Sequence, residues 1–170
     1  FLAQSGPLDA QLEYAISQTR LATDRYWQQA VQEGKPLSPA RQAFVLRSAD
    51  NADLLRMPRS EAVCRAILQR GAIPPKDRAD ALARLAKFTN RGMGPLLIDQ
   101  INEHARGKSA AYPELVALLH TLPAAELATI KPHLTTIASS NDNSRLRAAA
   151  IAALIDAGDP VEDLFRTTTT

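Results

Sequence analysis

One cysteine, Cys64, stands among 170 residues, so no disulfide can close within the chain and no all-cysteine metal site can form. Covalent c-type haem needs two cysteines and a following histidine, and Cys64 has no histidine beside it. Type-1 copper needs His, Cys and His to converge, whereas His104, His120 and His133 lie far along the sequence from Cys64. Aromatic residues make up only 5% of the chain, so most core volume has to come from Leu, Ile, Val and Ala. No apolar run approaches the roughly 20 residues a membrane-spanning helix needs. Phe1-Leu2-Ala3 is too short for the apolar stretch of a signal peptide and lacks a basic start. Gly-x-Ser-x-Gly, a phosphate loop and a dinucleotide fingerprint are all missing. The chain opens without Met and closes on Thr167–Thr170, which reads as a piece of a longer protein whose residues 1–170 form one domain.

What the sequence does contain is helical periodicity broken by Pro, Gly and Asn. Leu12, Ile16, Thr19, Tyr26 and Ala30 recur at helical spacing over Leu8–Glu33, with Asp9 near the start, and Gly34-Lys35-Pro36 ends that stretch. Ser38-Pro39 opens a second helix to about Ser48, with Ser as N-cap and Pro at the first helical position. Asp50–Pro58 reads as a connector with one turn at Asp53-Leu54-Leu55. Further helices are expected over 59–69, 76–88, 96–105, 112–122, 124–138 and 144–157. Their expected inward faces are Val63, Cys64, Ile67 and Leu68; Ala79, Leu82, Leu85, Ala86 and Phe88; and Leu97, Ile98 and Ile101. Leu115, Leu118 and Leu119 follow, then Leu127, Ile130, Leu134 and Ile137, then Leu146, Ala149, Ala150, Ala153 and Leu154. Pro132 is expected to kink or restart its helix, because it removes a backbone donor. Val161–Phe165 begins something further.

Helices of this length joined by short turns, with no alternating strand pattern, predict an all-α fold of antiparallel helix pairs stacked into a short solenoid. About four pairs fit the chain, stacked with a right-handed sense. An irregular globular bundle is the alternative.

Pro132-His133-Leu134-Thr135-Thr136-Ile137-Ala138, a polar turn with Asp142, then Ser144-Arg145-Leu146-Arg147 and an Ala-rich helix to Gly158-Asp159-Pro160 resemble one HEAT unit. That resemblance implies a HEAT-like α-α superhelix in which Asp142 and Arg147 bridge the turn between helices, a structural role. A wider resemblance rests on Leu12-Glu13-Tyr14, Thr19, Tyr26-Trp27, the run Ala52–Val63 and the run Asp77–Lys87. These stretches are similar to helical segments of large exported multidomain proteins of planctomycetes, where such segments adjoin haem, cupredoxin-like or dehydrogenase-like domains. The resemblance implies a periplasmic or exported parent of oxidoreductase type, in which this domain is a non-catalytic scaffold.

Charge is uneven. Residues 56–91 carry nine basic and three acidic side chains, while both flanks are mildly acidic. Arg56, Arg59, Arg65, Arg70, Lys76, Arg78, Arg84, Lys87 and Arg91 form a candidate patch for an acidic protein partner or, as the alternative, nucleic acid. A solvated helix surface is the plainer reading. Nucleic-acid readers add aromatic contacts, and Phe88, the only aromatic here, is expected in the core. Asp77 and Asp80 fit a first-turn role at a helix N-terminus. The three histidines are expected at flanks or on the surface, Met93 in a loop, and Cys64 buried. No catalytic, cofactor or metal-binding residue is assigned.

Overall fold

The computed structural model describes Gln11, Tyr14, Ala15, Gln18, Thr19 and residues 38–107, 109–140 and 143–158. Asp9, Tyr26, Trp27, Gly34–Pro36, Asp142 and Asp159–Phe165 lie outside the described residues. All regular structure among the described residues is helical. No described helix is long and apolar enough to cross a membrane. By its contacts the chain divides into two compact units, Phe1–Pro58 and Arg59–Thr170.

In the first unit, helix α1 (Pro39–Ser48) starts at its Pro, where the missing N–H removes no helical bond. Helix α2 (Asn51–Arg56) follows at once, because Asp50 accepts the Asp53 N–H at 2.7 Å and caps it. The expected single turn is thus a short helix. Val45, Ala49 and Leu54 are buried.

The second unit begins with α3 (Glu61–Gln69) and α4 (Pro75–Thr89). Ser60 accepts the Val63 N–H at 3.3 Å, which fixes the start of α3 two residues after the expected one. Helix α4 ends where Asn90 turns left-handed, at φ 51° and ψ 44°. The Arg91 N–H then reaches the Ala86 carbonyl at 2.9 Å and the Asn90 N–H the Lys87 carbonyl at 3.3 Å, a Schellman closure with Asn in the usual glycine place. Helix α5 (Met93–Gly107) runs through Gly94-Pro95 instead of starting after it, since Pro95 sits in the first turn. Met93 is accordingly the first residue of a helix and not a loop residue.

Helix α6 (Tyr112–Ala117) tightens into a 3-10 turn over Leu118–Thr121. Helix α7 (Ala124–Ser140) does not restart at Pro132. Ala128 and Pro132 are both exposed, a setting in which water can replace the bond that the proline cannot donate. Helix α8 (Ser144–Asp156) is capped by Asn143, whose side chain accepts from the N–H groups of Arg145 and Leu146 at 3.1 and 3.2 Å.

Within this unit α3 packs on α4, α5 on α6, and α7 on α8, the last most extensively. Between those pairs, α4 meets α5, α5 meets α7, and α6 with its 3-10 turn meets α8. The core is aliphatic: Ile67, Leu68, Leu82, Leu85, Leu97, Ile101, Leu115, Leu119, Leu127 and Ile130 are fully buried. The inward faces expected for α3, α5, α6 and α8 are buried throughout, whereas Ile137 of α7 is only half-buried.

Polar side chains join successive pairs. Glu126 of α7 accepts the Gly94 N–H at the start of α5, at 2.9 Å. A Cβ at Gly94 would lie 2.8 Å from the Glu126 carbonyl oxygen, so the two helices approach at backbone distance. Burial pushes the Tyr112 phenol up, and a hydrogen bond with Asn143 opposes that shift while tying α6 to the start of α8.

Candidate interaction surface

Helix α4 carries the centre of the basic segment. At about 100° per residue, Arg78, Ala81, Leu82, Leu85 and Ala86 share one arc, and all five are buried. Lys76, Asp80, Arg84 and Lys87 fall on the opposite arc, with Phe88 at the margin between the two. Two expectations are thereby corrected: Phe88 is 52% exposed, and Arg78, expected in the partner-binding patch, is fully buried.

Arg78 is accommodated because its donors find acceptors. Its Nη1 donates to the carbonyls of Ile67 and Leu68 at 3.3 and 3.1 Å, and its Nη2 to that of Arg70 at 2.7 Å. Ile67 and Leu68 lie in the last turn of α3, where carbonyls are short of intrahelical donors, and a cation there also suits the helix dipole. Nη2 further pairs with the Glu114 carboxylate, which accepts the Ala72 N–H at 2.8 Å through its other oxygen. Nε alone lacks a partner. Burial pushes the guanidinium down from the ordinary arginine value and Glu114 opposes it. Arginine stays charged through the physiological range regardless.

The remaining cations divide by their partners. Arg59, whose side chain is only 15% exposed, bridges Asp77 at 3.4 Å and Asp80 at 3.5 Å. Asp77 and Asp80 therefore anchor the chain ahead of α3, in addition to sitting near the α4 N-terminus. Arg84 pairs with Asp80 at 2.9 Å and Arg65 with Glu61 at 2.7 Å, both one helical turn apart. Arg91 reaches Asp99 of α5 at 2.6 Å. Arg56, in the first unit, pairs with Asp53 at 3.6 Å. Arg70 is half-buried, and Lys76 and Lys87 are exposed with no carboxylate partner among the described residues. The segment's formal charge thus overstates its field: Glu114 and Asp99 come in from outside it. Exposed pairs of this kind contribute about 0–1 kcal/mol each.

Cys64 lies beneath this network. Burial pushes its thiol up, with Arg59 and Arg84 lowering it and Asp80 raising it. His104, expected at a flank or on the surface, is buried on α5 next to buried Gln100, and its Nε2 has no partner. His120 and His133 are exposed, with His120 3.8 Å from Asp156. Arg147 is exposed on α8, and its expected partner Asp142 lies outside the described residues. No three His, Cys, Asp or Glu side chains converge among the described residues.

Among the described residues the chain is all-helical, and in its second unit α3 and α4 expose Arg65, Lys76, Arg84 and Lys87 interspersed with Glu61, Asp77 and Asp80. Comparison with known protein families, with curated proteins and with solved structures finds no match to this chain.

Proposed function

We propose that this chain is a HEAT-like stack of helix pairs that acts as a scaffold or protein-interaction module. The packing order carries the reading. Between the second and third pairs, first helix meets first (α5 on α7) and second meets second (α6 and its 3-10 turn on α8), the first pair meets the second chiefly through α4 on α5, and polar side chains join one pair to the next. Each pair then contacts mainly its neighbours, as in a solenoid. Large helical stacks of this kind serve through their surfaces, and here the basic face of α3 and α4 is the surface with a distinct chemistry.

By the resemblance of Ala52–Val63 and Asp77–Lys87, the parent is an exported redox protein, and the face steers an acidic partner toward its electron-transfer domains. Electrostatic steering of that sort is salt-sensitive and permits quick release. Exposure of Phe88 supports a second reading as a nucleic-acid-binding repeat domain, since an exposed ring offers a base-stacking platform.

The test is binding of an acidic small cytochrome and of a duplex oligonucleotide, each at low and high salt. Binding of the cytochrome alone, lost at high salt and lost in Lys76→Glu/Lys87→Glu, supports the module reading. Binding of the oligonucleotide alone moves the function to nucleic acid, and binding of neither at low salt removes both. Arg59 and Arg78 are unsuitable for charge reversal, because both are built into the fold.

A further inference from the structure

We infer that the Arg84–Lys87–Phe88 face of α4 docks an acidic protein segment through an apolar side chain that seats on the Phe88 ring. The inference rests on the interaction-module reading and narrows it to one contact point. Phe88 is 52% exposed in a helix whose other large apolar side chains are buried. Arg84 precedes it by one turn, Lys87 adjoins it, and Arg91 follows just beyond the helix end. An exposed aromatic residue with long cations on the same half of its helix is the composition of an interface centre with a charged rim, where aromatic and Arg residues are enriched.

Charge selects the partner. The positive excess calls for acidic groups opposite it. Asp80 and Asp99 stand within the same surface, however, holding Arg84 at 2.9 Å and Arg91 at 2.6 Å. A continuous phosphate backbone would meet those carboxylates, and its affinity grows with the number of cations free to neutralise it. Among the described residues, Lys76 and Lys87 are the exposed cations of this segment with no carboxylate partner. One ring also offers a single stacking site, where strand binders present several in succession. A protein segment with separated acidic residues fits between the carboxylates and can exchange ion pairs with Arg84 and Arg91.

The test titrates the 170-residue chain, labelled with nitrogen-15, with three probes at low salt: a Glu/Asp-rich peptide bearing one Leu, the same peptide with Ser for Leu, and a single-stranded oligonucleotide. The expected result is that the Leu peptide shifts the amides of Arg84, Lys87, Phe88 and Arg91. Phe88→Ala then weakens the Leu peptide by about tenfold and leaves the Ser peptide unchanged, while Lys87→Glu weakens both. Shifts centred on other basic residues overturn this contact point and leave the module reading standing. Absence of binding by either peptide overturns both. Preference for the oligonucleotide on this face overturns the inference in favour of nucleic acid. A spectrum of Phe88→Ala that has lost its dispersion also overturns it, because Phe88 would then be a packing residue.

Discussion

The guanidinium of Arg78 and the carboxylate of Glu114 meet although 36 residues separate them, and each also holds backbone groups of the segment that closes α3. Removing either partner therefore uncovers more than one ion pair. Arg78→Ala leaves the carbonyls of Ile67, Leu68 and Arg70 without their donor. Its expected cost is about 3–5 kcal/mol, read as a fall in the urea midpoint. Glu114→Gln keeps an acceptor on a partly exposed side chain and should cost less, about 1–2 kcal/mol. Equal and negligible effects of the two substitutions would contradict this arrangement.

Gly94 and Gly107 offer opposite outcomes on one helix. Ala at 94 places a Cβ 2.8 Å from the Glu126 carbonyl and 3.0 Å from Ile130 Cγ2, with backbone that cannot step aside. Gly94→Ala should cost about 1–3 kcal/mol. Gly107→Ala meets nothing within 4 Å. It should be neutral or stabilise by up to about 1 kcal/mol, from helix propensity and reduced freedom of the unfolded chain. Thermal melts of the two variants, side by side, are the check.

Alkaline pH should weaken the fold. Burial pushes up both the Cys64 thiol and the Tyr112 phenol. A raised pKa means that the folded state holds the proton more tightly than the unfolded chain does. The stability so contributed is complete below the ordinary thiol pKa of about 8.5, and it is lost as pH rises through the raised folded values. Urea midpoints measured between neutral pH and pH about 10 should fall, and Cys64→Ala should flatten the thiol's share of the slope. The same burial makes a thiol reagent slow on the native protein and fast in denaturant, and equal rates would count against a buried Cys64.

Lys87→Glu should leave stability within about 0.5 kcal/mol of the parent, as exposed substitutions away from packed groups do. Its effect belongs to binding. A melt that collapses would show that the exposed face of α4 is covered in the folded protein.

Much of the fold was legible along the chain. The α8 face of Leu146, Ala149, Ala150, Ala153 and Leu154 follows from spacing alone, because no residue on that arc is polar. On α4 spacing and residue type conflict. Periodicity groups position 78 with 82 and 85, while residue type argues for placing Phe88 inside and Arg78 outside. Position prevailed, since acceptors from α3 and α6 receive the guanidinium. Those acceptors are distant in sequence, so no local pattern announces them, and buried His104 was missed through the same trust in residue type. The candidate surface shows the same division. Arg65 with Glu61 and Arg84 with Asp80 pair within one turn of their own helices. Arg91 with Asp99, and Arg59 with Asp77 and Asp80, depend on how the turns close.

Glu126 lies in the first turn of α7, yet the N–H it receives opens α5, 32 residues earlier. A helix normally gathers its first-turn acceptors from the residues just before it. Here one of them arrives only after two further helices have been made. The start of α5 is thus complete only once the third pair has docked, and a piece of the chain ending before Ala124 would present that end frayed. Neighbouring pairs are thereby coupled through polar contacts as well as apolar packing: Glu126 and Tyr112 link the second pair to the third, and Glu114 links it to the first.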